Sequence, residues 1–312
     1  MKKKLLTAAL LTFCAIALVV SSVLTTIALL TSSTGVSNVF TVGNISIDMK
    51  ESKVNSDGQL VDKNGRVIDA DGYVINADDT RGESSERVKV DTNSYHLLPG
   101  KTYIKDPTIY ITSETDKMFL FVKSANLIRR AEAGNYDDRT ASTPLSMREQ
   151  MESYGWVEFI RSGDGTEIVW VYGKRDIATG SIIPTPVTKI TKQLKKGDVD
   201  AGLPEGQFRL CDNFTVHEDV DVSVYGAAHV TFTAFAIQTT GFGTGNETGH
   251  ALTQAAWNAV KESFPYQCGI VNPINPYDKT LTNDRAYDAV KNKEKPEFEL
   301  LPAPVKQNTS NP

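Results

Sequence analysis

The sequence predicts a mainly β protein, a jelly roll or β-sandwich with one or two helices inserted. Three observations predict it. Short segments of alternating apolar residues recur at close spacing along the chain. Turn pairs such as Asp57-Gly58, Asn64-Gly65, Asp71-Gly72 and Pro99-Gly100 separate them. Only Ala251–Phe264 carries the three-four apolar spacing of a substantial helix, through Leu252, Ala255, Ala256, Ala259 and Val260. Strands in series with one or two helices favour a sandwich over a bundle or a βαβ fold.

The chain begins as a targeting segment. Lys2, Lys3 and Lys4 precede an apolar run, Leu5–Val20, and then the small and hydroxyl residues Ser21, Ser22, Thr25 and Thr26. This is the order of a signal peptide, and Thr26-Ile27-Ala28 places the cut between Ala28 and Leu29. Leu5–Leu30 is also long enough to span a bilayer, which takes roughly 20 apolar residues. An uncleaved anchor is therefore the alternative, and the Ser and Thr of the second half favour cleavage. Contact with the membrane is expected only through this segment. Cleavage leaves 284 residues with 30 Lys and Arg against 38 Asp and Glu, a formal charge of −8. No basic cluster follows Lys4 that would suit nucleic acid. Of three cysteines, Cys14 lies in the apolar run. Cys211 and Cys268 remain, and the sequence leaves open whether they pair or stay buried and free.

Residues 29–270 read as the β domain, with 51–94 as an insert and 271–312 as a Pro- and Asn-rich extension, disordered toward its charged end. Val39–Met49 alternates as a strand. From Ser56 to Asn76 the units SDGQLVD, KNGRVID and ADGYVIN repeat every seven residues, predicting three short strands joined by tight turns. Asp62, Asp69, Asp71, Asp78 and Asp79 could offer oxygens to Ca2+, but the spacing fits neither the EF-hand nor the nonapeptide repeat. Asp78–Thr92 reads as an exposed loop. Further strands are expected at Thr108–Ile111, Lys117–Ser124, Phe208–Phe214, Val220–Val224 and His229–Thr239. Trp156–Arg161 and Thr166–Tyr172 form a hairpin, Leu145–Ser153 a short helix, and Asn283–Lys291 a weak one.

Catalytic chemistry finds little support. The four histidines are His96, His217, His229 and His250, and no H-E-x-x-H occurs. The nearest match, His217-Glu218-Asp219-Val220-Asp221, alternates like a strand, which sets residues four apart about 13 Å from each other. There is no G-x-S-x-G, and Gly241–Gly249 lacks the Lys-Ser/Thr of a phosphate loop. Trp156, Trp170 and Trp257 all fall inside expected elements, which argues against a sugar-stacking platform. No catalytic or metal-binding residue is assigned.

Three stretches carry a resemblance. Asn38-Val39-Phe40-Thr41-Val42-Gly43-Asn44 follows the signal end and a short spacer. Leu98, Pro99, Gly100, Lys105, Asp106 and Pro107 form an L-P-G-x-x-x-x-K-D-P segment. Ala234, Ala236, Gln238, Gly241, Phe242 and Trp257 fit A-x-A-x-Q-x-x-G-F and its following helix. In this order they resemble the TasA/camelysin family of secreted proteins of Gram-positive bacteria. Positions 30–32 depart from it, with Leu-Thr-Ser where the family has an aromatic residue and then Thr-Asp. The resemblance implies a secreted jelly roll, located in the biofilm matrix or at the cell surface. It also implies self-association into fibres in which the N-terminal strand of one subunit completes the sheet of the next. On that basis Leu29–Val42 is the expected donor strand, starting at Leu29 and anchored by Val36, Val39, Phe40 and Val42. Other matrix or cell-surface proteins are the further expected partners. The alternatives are a camelysin-like metallopeptidase and a monomeric adhesin or interaction protein.

Overall fold

The computed structural model describes residues 38–114, 116–127, 131–163, 165–176, 179–195, 203–220, 230–270 and 273–274. The signal segment, the Ala28–Leu29 junction, Val36, His229, Asp221, the 283–291 helix and nearly all of the 271–312 extension lie outside these residues. In chain order the first strands are β1 (Asn38–Val42), β2 (Ile47–Ser52), β3 (Tyr73–Ile75), β4 (Arg81–Ser84) and β5 (Lys89–Val90). Next come β6 (Thr102–Ile104), β7 (Thr108–Ile111) and β8 (Met118–Ala125). Helix α1 (Met147–Ser153) leads to β9 (Trp156–Ser162), β10 (Glu167–Arg175), β11 (Ile182–Pro184), β12 (Gln207–Arg209), β13 (Asn213–Thr215) and β14 (Thr231–Gln238). Helix α2 (Gly249–Ser263) and β15 (Pro273–Ile274) follow.

The chain is mainly β, as the sequence predicts. One large sheet runs β1-β14-β8-β10-β9-β15, with β11 beside β10, and a four-stranded sheet runs β12-β7-β2-β5. Two small pairs, β13-β6 and β3-β4, stand apart. Met118, Leu120 and Val122 of β8 and Trp170 of β10 share a core with Met49 of β2 and Ile109 of β7, so the two sheets pack face to face. Phe119 and Phe121 of β8 point the other way and meet Trp257 and Val260 of α2. The large sheet is therefore covered on both faces. This explains why KMFLFVKS is continuously apolar instead of alternating: a strand buried on both sides has no polar face to display.

Local chemistry sets the elements. Ser146 caps α1 by accepting from Glu149 N–H, while the Glu149 carboxylate accepts from Ser146 N–H. The hairpin of β9 and β10 forms as expected, with Gly165 N–H donating to Ser162 O, and a bulge interrupts the register at Val169/Trp170.

Several expectations are corrected. Val39–Met49 is two strands in two sheets, broken at Gly43, whose φ is +98°. Phe208–Phe214 is likewise split, into β12 and β13, with residues 210–212 turning the corner between two sheets. Val220 closes a turn, and 221–224 lie outside the described residues. The Asp78–Thr92 stretch contains β4 and β5. Cys211 and Cys268 are free and buried on opposite faces of the large sheet, one in each core, so they do not pair.

The heptad segment forms a stair of tight turns, with one step more than the sequence repeat suggests. Asn55, Asp62, Asp69 and Asn76 each start a turn in which their N–H donates to the carbonyl four residues on. At the first three steps the side-chain oxygen of that residue also accepts two backbone N–H groups, for example Asn64 and Arg66 onto Asp62. The fourth step, NADDT, places Asp79 at φ +60° where the other steps have glycine, a conformation Asp tolerates. Val54, Leu60, Ile68 and Val74 form a small core beneath the stair.

Candidate strand-docking site

The first described strand sits at the edge of the large sheet. β1 pairs with β14 from Asn38↔Thr233 to Val42↔Ile237, and it is the one parallel pairing among the described strands. Both of its faces are used. Val39 packs on the inter-sheet core, while Phe40 and Val42 pack on the helix side. Phe40 stacks on Phe235 at 5.5 Å between ring centroids and tilts against Phe264 at 5.0 Å. An empty seat would expose these apolar groups, at about 1.5–3 kcal/mol for each side chain fully uncovered. It would also leave the outer N–H and C=O groups of β14 unpaired.

Of the expected donor residues, Val39, Phe40 and Val42 lie in β1, and Leu29 and Val36 lie outside the described residues. Within one chain, the edge of β14 is thus already occupied by the chain's own strand. The joint to β2 is exposed at Gly43 and Asn44. A Cβ on Gly43 would overlap the Gln238 side chain, which would have to shift, and the positive φ favours glycine whatever the space. Gly43 and Gln238 belong to two of the three motifs that carry the family resemblance, and here they touch.

The other motif residues have structural positions. Ala234 and Ala236 are fully buried opposite Val39 and Thr41 of β1. Trp257 packs against Phe121 and Phe235. Leu98, Pro99 and Gly100 form the turn before β6. Lys105 Nζ lies 2.7 Å from Glu51 Oε2, and Asp106 accepts from Ser52 N–H and Oγ, both at 2.7 Å. The K-D-P corner therefore fastens β2 soon after the Gly43 joint.

Among the described residues, candidate catalytic groups do not assemble. His217 Nε2 lies 3.1 Å from Asp138 Oδ1, and its ring is tilted by 35° against Tyr136 with 4.0 Å between ring centres. His96 is exposed, and His250 packs near Phe159. Among the described residues, no three His, Cys, Asp or Glu side chains converge as a metal site. In the stair, Asp62 is engaged by Arg66 and Ser85, and Asp69 and Asp71 by Arg81. The three tryptophans are core residues: Trp156 Nε1 donates to Arg209 O and Trp170 Nε1 to Ser124 Oγ. In the Gly-rich loop, Glu247 accepts from Thr244 and Gly245 N–H, which holds its carboxyl down at about 2.

Sequence reasoning missed three polar constellations, two buried and one partly buried. Asp212 accepts from Tyr154, Lys195 and Arg209; burial pushes its carboxyl up, and these three bonds outweigh that and hold it low. Arg148 of α1 bonds Glu158 of β9 at 2.8 Å. Glu132 accepts from Met147 N–H and Asn135. Their bonds join different elements, Tyr154 and Asp212 lying 58 positions apart, and no local pattern marks them.

No protein-family model, curated protein or solved structure matches the chain. The TasA/camelysin resemblance stands on the three motifs.

Proposed function

We propose that this is a secreted, non-enzymatic structural protein that assembles into extracellular, biofilm-matrix-type filaments through its N-terminal strand. The observation that carries the reading is the seat of β1: a short parallel strand at a sheet edge, joined to the rest of the domain through an exposed glycine. A strand released from β14 at Gly43 and received by β14 of the next subunit recovers the same hydrogen bonds and the same Phe40 stacking. Exchange of this kind costs little at equilibrium, and its head-to-tail form grows a filament unless the rotation closes a ring. Residues 29–37, freed by cleavage after Ala28, extend the donor beyond the five residues of β1. Attachment to the signal segment would withhold the strand until secretion.

Electron microscopy of the cleaved protein tests this. The chain from Leu29 should form filaments, and deletion of 29–38 should abolish them while leaving a folded monomer. Phe40→Ala should also abolish them and lower stability by about 2 kcal/mol, since the ring is half-buried. Filaments of normal length from the deletion would overturn the reading.

One observation favours a second reading. Because β1 is seated in its own chain, the fold is complete as a monomer, as a cell-surface adhesin or interaction protein would be. A monodisperse species that stays monomeric at high concentration, with N-terminal sequencing that confirms cleavage, would favour it.

A further inference from the structure

The Glu51–Lys105 pair has unusual surroundings for a salt bridge. The side chains are 3% and 7% exposed, and Oε2 lies 2.7 Å from Nζ. Glu51 is the one carboxylate within ion-pair reach of Lys105 among the described residues. Asn93 and Asp106 are the further polar neighbours of Glu51, and no well-directed hydrogen bond reaches either Oε1 or Oε2. Around the pair stand Tyr95, whose ring centre is 5.9 Å from Nζ, and the apolar Pro107, Val230 and Phe232. Two buried charges hold as ions when further hydrogen bonds satisfy them; otherwise transfer of a proton within the pair is favoured.

The pair is also held fixed. Its neighbours in sequence, Ser52 and Asp106, form two hydrogen bonds of 2.7 Å, so consecutive residues of β2 are registered against consecutive residues of the Lys105–Asp106 corner. Asn93 bonds Ser52 O at 2.8 Å, and Lys89 lies 3.2 Å from Ser52 Oγ. Cys211 Sγ bonds the Lys105 carbonyl at 3.2 Å. At the rim, Lys50 pairs with Asp91 and is not drawn to Glu51.

We propose that Glu51 and Lys105 condense after folding into an intramolecular amide, a covalent staple between β2 and the corner before β7. The step balances without a co-reactant. The Lys105 ammonium gives a proton to the Glu51 carboxylate, leaving a neutral amine and a neutral acid. Nζ attacks Cδ, the C–N bond forms, and the acid's hydroxyl leaves with one amine hydrogen as water. Burial favours the protonated acid; Lys105 opposes this, and the charge of Asp106 adds to it. The reactants are already in contact, and such positioning is worth effective concentrations on the order of 10^5 M or more. The small cleft lined by Lys50, Asp91 and Phe232 opens onto the pair and gives the released water a way out. In a chain whose described cysteines are free, the staple would supply the covalent constraint that a disulfide otherwise gives. The inference does not rest on filament formation.

Mass spectrometry of the secreted chain, with its N-terminus fixed by sequencing, decides the matter. The expected intact mass is one water short of the sequence mass. A denatured digest should yield a branched peptide joining the Glu51 and Lys105 segments, with no cleavage after Lys105 by trypsin. Lys105→Arg and Glu51→Ala should each restore the full mass. The wild-type result stands by itself if those variants fail to fold. Full sequence mass in folded wild-type protein after prolonged incubation, or a lost water mapped elsewhere, overturns the proposal.

Discussion

At the scale of single residues, burial decides behaviour that composition hides. Glu132 is 2% exposed, and burial pushes its carboxyl from an ordinary 4.5 up to about 7; its bonds from Met147 N–H and Asn135 only partly offset this. An acid whose folded value is raised stabilises the fold most at low pH, below its unfolded value. That contribution fades as pH rises from about 4.5 to about 7, in total about 3 kcal/mol at 1.36 kcal/mol per pH unit. Chemical denaturation across this window should show wild-type stability falling with pH, and Glu132→Gln should flatten that slope. Gly43 illustrates a conformational requirement instead. Gly43→Ala should lower stability by about 1–3 kcal/mol, because φ is +98° and Gln238 occupies the Cβ position. Adding Gln238→Ala should recover only the steric part, as urea midpoints would reveal.

At the scale of elements, the turn stair shows how one residue type can organise a segment. Asp62 is wholly buried from solvent and accepts from Asn64 N–H, Arg66 N–H, the Arg66 guanidinium and Ser85. Desolvation pushes its carboxyl up, but the bonds from Arg66, Ser85 and Asn64 outweigh it and hold the group at about 2, below an ordinary 3.8. For an acid with a lowered folded value, the stabilisation is present above the unfolded value and is lost as pH falls through the folded one. Asp62→Ala should therefore destabilise the stair at neutral pH, with the difference from wild type shrinking as pH falls from about 4 toward 2. Hydrogen exchange at Asn64 and Arg66 would localise the effect. Because Asp62, Asp69 and Asp71 are already used by backbone N–H groups or arginines, Ca2+ should leave the melting temperature unchanged; a rise would indicate a bound ion.

At the scale of the whole molecule, the large sheet lies between a second sheet and α2, and this layering places the two thiols apart. Cys211 lies in the core between the two sheets and Cys268 in the core on the helix side. Burial pushes both thiols upward, Cys268 to about 11, which keeps them protonated and slow to oxidise. Thiol titration without reductant should find neither group reactive in the native protein and both reactive once it is unfolded. Reductant should leave the melting temperature unchanged.

The sequence by itself determined the class of this protein and most of its parts. Alternation and turn pairs located β7, β9, β10 and β14, a continuous apolar run located β8, and the three-four spacing located α2, because these signals are local and lie within a few residues. It also placed Val39, Phe40 and Val42 together on a strand. The tertiary structure decided what each strand faces. Val39–Met49 reads as one strand because its alternation survives the break at Gly43, where the chain passes from one sheet to the other. The parallel seat of β1 on β14, the contact of Gly43 with Gln238, and the meeting of Glu51 with Lys105 all join residues more than 50 positions apart. No local pattern encodes such pairings, because they follow from how two sheets and a helix share the faces of one core.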